Sequence, residues 1–424
     1  MHTNPPTFRE FRRYWLRLGF VNFGGPDAQI ARMRADIVAA RGWVEDGLFE
    51  RARSFCLLLP GSRAQQLAVY LGWRLFGIRG GLAAGLFSLL PSVLLMLALS
   101  GLAVVCGGAP LMAGFFRGLA AAVVVLVAQA LWRASKEALV HPVFYGFAAV
   151  SFLMGYGLRL KFYGVIVVAV LMSLWLGQVR PDIFCPGGAL EKAGPQPLGQ
   201  SPWRRVGRLG AGFAALWLVV ALPVFFFSGP GSLLPRILNF YTRASFLAFG
   251  EPYGVLSFVS DMALRLGWTG QDQLALGLGL AGLAPGPLVL AVQHAGFMTA
   301  YGHPGGLTPL AAGALGGLLA TFGLILPGFF LVFAGAPHLE SLLASPRLRS
   351  AFTGISAAMV GVILKLDLLF ATATFWPRGL GGGLDVFPLA LAAAAGLVLW
   401  RWRIPASILL LACGVLGAVW PLLG

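Results

Sequence analysis

Acidic side chains are scarce in this chain: Asp and Glu number 15 in 424 residues, and charged residues of both signs reach only 11%. That is too little polar surface to cover a soluble particle of this size, so a water-soluble globular fold is excluded. Cysteine is equally sparse. Cys56, Cys106, Cys185 and Cys413 show no paired spacing, and three lie in or beside apolar runs, which argues against a disulfide framework and against a zinc site. No metal and no cofactor is expected. The first residues, MHTNPPTFREFRRYW, have no continuous apolar core of signal-peptide length ahead of their charges, so targeting is expected to come from the spans themselves. No G-x-S-x-G elbow surrounds Ser62, which disfavours an intramembrane serine hydrolase. The chain is not expected to be an enzyme.

What the sequence does hold is apolar length. Hydrophobic residues make up 58%, and mean hydropathy is +0.82. Inside a bilayer the backbone must satisfy its own polar groups, so these runs read as an all-α integral membrane protein. The net charge of +16 is scattered in short bursts between apolar runs. Such bursts set topology, and nucleic-acid binding is not expected. Residues 8–20, with Arg9, Arg12, Arg13 and Arg17, predict an amphipathic helix, and 27–39 are too polar to face lipid. Residues 45–59 and 63–76 flank Pro60-Gly61, each shorter than the ~20 residues of a crossing, which predicts half-helices or a re-entrant hairpin. Full spans are expected at 80–105, 111–132, 143–158 and 162–176. A basic, Pro- and Gly-rich connection at 180–208 is expected in the cytoplasm with the N-terminus. After it come an apolar span at 209–227, a segment at 233–249, a polar region at 261–272, and spans near 307–334, 352–375, 386–400 and 404–422. Roughly ten to fourteen membrane-embedded segments follow, in a bacterial-type inner (plasma) membrane.

The chain is also internally duplicated. LGFVNFGGP at 18–26, which contains Asn22, and LLLPGSRAQQ at 57–66 return as SFLAFGEPYGVL at 245–256 and AGLAPGPLV at 281–289. Phe23-Gly24 pairs with Phe249-Gly250 and Pro60-Gly61 with Pro285-Gly286, at separations of 37 and 36 residues, with Trp43 and Trp268 at matching places between. The expected organisation is a first repeat at 1–179, a linker at 180–208, a connecting span at 209–232 and a second repeat at 233–424. A single unmatched crossing between the copies turns the second upside down, the arithmetic of an inverted repeat.

Each break ends one helix inside protein and starts another, whose unpaired N–H groups and positive dipole end attract anions. Gly24 and Gly25 permit a sharp turn, and Pro26 suits the first turn of a helix carrying Gln29. Pro60, Gly61 and Ser62 lead in the same way into a helix carrying Gln65 and Gln66, with the Ser62 hydroxyl as a cap or donor. Gly250, Glu251 and Pro252, and Pro285, Gly286 and Pro287, are the second-copy counterparts. The expected site holds an anion near the midplane against 24–26 and 60–62, with Gln29, Gln65 and Gln66 as donors and Arg63 or Lys365 as counter-charge. Glycine and proline also serve membrane helices as packing and kink residues. The recurrence of two paired breaks at one spacing is what favours function. Lys365 and Asp367 lie in an apolar span but, two residues apart, do not face each other. Aligning Gly118 with Gly354 sets Lys365 against Gln129. His294 reads as a hydrogen-bonded core residue, and Arg117 as the anchor of a span end. Bulky replacement at Gly25 or Gly61 is expected to abolish function with little loss of folded protein.

LGFVNFGGPDAQIARM, Gly42-Trp43, CLLLPGSRAQQLAVYLGW and Pro91 in a glycine-rich span resemble the N-terminal half of the chromate ion transporter family, and FLAFGEPYGVL with LAPGPLVL resembles its C-terminal half. The resemblance covers nearly the whole chain in the long two-domain form. It implies a secondary transporter exporting chromate, with sulfate as an exchanged or competing anion. Transport of sulfate or another anion, and a non-transporting membrane partner or sensor, are the alternatives, and a homodimer is compatible with either. Where the family usually has proline and then an acid after the first Pro-Gly, this chain has Ser62 and Arg63. Where the family has a glutamate ahead of the second PGP, it has Gly282, and the second FGG is Phe249-Gly250-Glu251. If those acids carry coupling protons in the family, this chain couples differently or prefers another anion.

Overall fold

The structure, a computed structural model, describes residues 6–158, 160–184, 202–229, 232–247, 249, 251–343, 345–379, 381–402 and 404–422. Among these there is no strand; every element is helical. The chain is an all-α membrane protein built from two homologous halves of broken helices and long spans.

The first half opens with α1 (Phe8–Val21), started by a reciprocal cap in which the Thr7 side chain accepts from the Glu10 N–H and the Glu10 carboxylate accepts from Thr7. Its apolar face buries Phe11, Tyr14, Trp15 and Leu18 beside Trp43 and Phe76. Next come α2 (Pro26–Met33), extended by wider π turns over Arg34–Ala40, then α3 (Asp46–Leu57) and α4 (Arg63–Cys106). Helix α4 is two helices in one. Phe76 and Gly77 leave helical geometry, Gly77 with φ 63°, and the segment 63–75 folds back along 78–106. Backbones touch there: a Cβ added at Gly72 would sit 2.4 Å from the Gly80 carbonyl oxygen. Helices α5 (Pro110–Ala138), α6 (Pro142–Phe152, with π turns over Leu153–Gly157) and α7 (Phe162–Val179) complete the half, followed by one turn, α8 (Pro181–Phe184). Most of the expected linker at 180–208 lies outside the described residues, Cys185 included.

Helix α9 (Pro202–Phe227) is long and apolar, with no part of its most apolar stretch buried in protein, and it packs along α14 and α10, where Trp217 donates to the Thr242 hydroxyl at 3.0 Å. The second half repeats the first: α10 (Leu234–Phe246), α11 (Glu251–Arg265), α12 (Gln271–Leu283), a half-helix α13 (Ala291–Gly302), then α14 (Pro309–Gly335), a short α15 (Leu339–Leu343), α16 (Pro346–Phe375), α17 (Val386–Trp402) and α18 (Ala406–Val419). The half-helix α13 lies along α14 as 63–75 lies along 78–106, and Gly296 and Gly316 make the close contact. Buried polar groups stitch the halves together. Gln293 donates to the Val93 carbonyl at 2.8 Å, and His294 meets the Ser100 hydroxyl at 3.0 Å, as a core histidine should.

The halves are interlocked. Helices α17 and α18 of the second half pack on α5 of the first, while α6 and α7 of the first pack on α16 of the second. Small residues make both seams: Gly118 closes on the Cys413 carbonyl, and Gly354 closes on Ser173 and the Ala169 carbonyl. Glycine there lets backbones approach, which is how membrane helices associate without a hydrophobic drive between them.

Candidate functional site: a cavity between the broken helices

The breaks of both halves border one cavity of about 1460 Å³. Gly24, Gly25 and Pro26 line it from the first break, Gly61 and Arg63 from the second, Phe249 and Tyr253 from the third, and Ala284, Gly286 and Leu288 from the fourth. Helices α5 and α16 supply the walls. Three of the breaks turn on glycines in the left-handed region, Gly24 at φ 105°, Gly61 at 125° and Gly286 at 145°, where a side chain is strained. Gly25, at φ −70°, is different: it caps α2, and a Cβ added there would meet nothing within 4 Å.

Neither of the helices that start at the two breaks of the first half is closed by a side chain. Gly25 has none to offer ahead of α2, and the Ser62 hydroxyl makes no cap bond at the start of α4. The first N–H groups of both helices therefore lack a side-chain cap, beside a cavity bordered by Arg32, Arg63, Arg133 and Lys136 against Asp27 and Glu137. The excess is positive. Apolar residues such as Met359 and Ile363 cover much of the remaining wall, which strengthens any charge interaction inside.

The glutamines do something other than the expected work. Gln29, 2% exposed, donates its amide to the carbonyls of Gly286 at 2.7 Å, Gly24 at 3.1 Å and Asn22 at 3.3 Å. It thus straps the first break to the fourth across the two halves. Gln66 donates to the Pro60 carbonyl at 2.6 Å, and Gln65 donates to the Gly85 carbonyl at 2.7 Å while accepting from Ser88. Gln29 and Gln66 satisfy carbonyls at the breaks, and Gln65 ties the first turn of α4 to its second segment, so all three act as struts. Ser92, which sequence reasoning passed over, does likewise by donating to the Pro285 carbonyl. Asn22 is buried with its side-chain oxygen unbonded.

Of the other expected site residues, Pro60, Ser62, Pro285 and Pro287 neighbour lining residues in sequence without lining the cavity themselves. Gly250 lies outside the described residues, and Glu251 begins α11 with nothing described of its side chain. Lys365 is displaced from its expected role as counter-charge to the cavity: it does not line it, and its amine is paired with the Asp261 carboxylate of α11. Arg133 and Lys136 are the cations that sequence reasoning missed. They stand four and seven residues beyond Gln129, on the same helical face, and that spacing was the available signal. Arg117 pairs with Asp385 at the far end of α5, as an anchor would.

Two regions of the chain, residues 10–176 and 235–418, match the family model described as Chromate transporter. The chain belongs to the chromate transporter family. A chromate transport protein of Pseudomonas aeruginosa is 29% identical over 97% of this chain and 92% of its own length. One of Cupriavidus metallidurans is 29% identical over 88% and 84%, and a probable chromate transport protein of Synechococcus elongatus 25% over 86% and 84%. No solved structure matches the chain. The two matched regions of the chromate transporter family correspond to α1–α7 and α10–α18, so α9 and the stretch before it fall between them. Membership, together with six helices among the described residues that are long and apolar enough to cross a bilayer, makes this a multi-pass membrane protein of a transporter family.

Proposed function

We propose that this chain is a secondary transporter that carries a tetrahedral oxyanion, chromate first, out of the cell across the cytoplasmic membrane by alternating access. The observation that carries this reading is the meeting of all four breaks, two from each half, at one positively bordered cavity. The anion rests against the uncapped starts of α2 and α4, which offer fixed donors without ordering long side chains, and Arg63 supplies charge from the first turn of α4. Gln29, Gln65 and Gln66 hold those starts in place. Rocking of one half against the other then exposes the site to each face in turn.

Orientation supports export. Helices α6 and α7 form an out-and-back pair, so the end of α5, with Arg133 and Lys136, lies on the same face as the basic connection after Arg180. By the positive-inside rule that face is the cytoplasm, so this conformation loads from within. Liposomes holding the purified protein test the reading. Chromate flux above that of empty vesicles is expected, and its absence with folded protein favours a non-transporting partner. Arg63 and Gly282, both at the cavity and both departures from the family pattern, favour sulfate as the second substrate to assay in the same vesicles.

A further inference from the structure

Helices α5 and α16 are the same element in the two halves. Gly118 and Gly354 occupy matching places and do the same work in their seams. That register sets Gln129 against Lys365 and Arg133 against Leu369. The surroundings of the aligned residues nevertheless differ. Gln129 and Arg133 line the cavity, whereas Lys365 is shut into an ion pair with Asp261, the two side chains only 12% and 11% exposed. The lysine stem lies over Gly155, where an added Cβ would come within 3.2 Å of its Cδ. The cavity therefore takes in the stretch of α5 around Gln129 and, on α16, the stretch from Phe352 to Ile363, but it is closed around Lys365, the counterpart of Gln129. In an inverted repeat each half displays the arrangement that the other adopts in the opposite-facing state. The stretch of α16 around Lys365 that is closed here takes there the place that the stretch of α5 around Gln129 holds now.

Resting on the alternating-access reading, we infer that Lys365 is the anion-binding cation of the opposite-facing state and that Asp261 is its latch. In the present state the Asp261 carboxylate stands where oxyanion oxygens stand once the stretch of α16 around Lys365 lines the cavity. A lysine inside a membrane needs an anionic partner in either state. Exchange of carboxylate for oxyanion meets that need during opening, and return of the carboxylate displaces the oxyanion towards the second face. The cycle moves a charge partner and breaks no covalent bond. Position 365 thus adds a specificity-determining contact that position 129, an uncharged glutamine, does not duplicate, so the two faces of the membrane meet sites of unequal charge.

A chain with Cys56, Cys106, Cys185 and Cys413 replaced, carrying either Arg133→Cys or Leu369→Cys, is labelled with a membrane-impermeant thiol reagent in sealed vesicles of both orientations. With the latch intact, position 133 labels and position 369 is protected. Asp261→Asn should raise labelling at 369 about tenfold, from the face opposite the cavity mouth, and slow labelling at 133 by a like factor, within the range of ordinary conformational coupling. Unchanged labelling at both positions in folded Asp261→Asn protein overturns the latch. Where Asp261→Asn does not fold, the exchanged pair Asp261→Lys with Lys365→Asp decides. It keeps an ion pair but moves the cation to α11, so the parental labelling pattern with oxyanion flux reduced about tenfold is expected. Parental flux in that variant makes the pair structural. A parent chain that carries no oxyanion while Asp261→Asn still shifts the labelling overturns the transport reading and leaves the latch standing.

Discussion

At Gly25 an added side chain points into open space, while at Gly61 the backbone holds φ 125° and an added Cβ would come within 2.7 Å of the Gln66 amide nitrogen. The two glycines read alike in the sequence and were expected to behave alike, but their variants should not. Gly25→Val should fold at parental yield and lose oxyanion flux, because the new methyls stand between the anion and the start of α2. Parental flux in that variant would make the break a kink and nothing more. Gly61→Val should also lose stability, about 1–3 kcal/mol for a residue forced into the left-handed region, read as a lowered melting temperature in detergent. Arg63→Ala should raise the oxyanion KM about tenfold, the worth of one hydrogen bond to a charged group. Gln29→Ala removes the donor shared by Asn22, Gly24 and Gly286. It should cost about 1–3 kcal/mol, as unpaired buried carbonyls do, and reduce flux by loosening two breaks at once. That cost was hidden in the sequence, where a glutamine near a helix start looks like an available donor.

Among elements, the two glycine seams carry the interlock of the halves. A Cβ at Gly118 would lie 2.0 Å from the Cys413 carbonyl oxygen, and one at Gly354 would lie 2.3 Å from the Ser173 Cβ. Gly118→Leu and Gly354→Leu should therefore destabilise by similar amounts, about 1–3 kcal/mol or more for overpacking, and reduce the monodisperse fraction in size-exclusion chromatography. A large loss in only one would mean that the seams are not equivalent. The sequence announced glycine-rich spans but not their partners, because a glycine's value at a seam depends on which backbone comes to meet it. The fold-back at Phe76–Gly77 was legible as the end of a short apolar run. Its counterpart between Gly302 and Thr308 was not read at all, the next span being placed near 307–334, since small and polar residues there fit either a loop or a helix start. The extension of α5 to Ala138 was missed for a related reason: Arg133, Lys136 and Glu137 look like the end of a crossing by hydropathy, yet they continue the helix as the rim of the cavity.

For the whole molecule, the bilayer, the helical class and the existence of two related halves were determined by the sequence alone. Composition excludes any other solvent, backbone polar groups in lipid exclude any open sheet, and glycine and proline act through their own dihedral angles wherever they stand. Topology belongs to the same level: Cys185, in the basic connection, should label with an impermeant reagent only from the cytoplasmic face, and labelling from outside would invert the molecule. Tertiary structure decided which polar groups face the cavity. A glutamine amide bonds a carbonyl as readily as an anion, and a lysine accepts a carboxylate as readily as an oxyanion, so residue type leaves the partner open. The partner is whatever the packing of distant elements brings within reach: for Gln29 a carbonyl 257 residues away, for Lys365 a carboxylate on another helix of its own half.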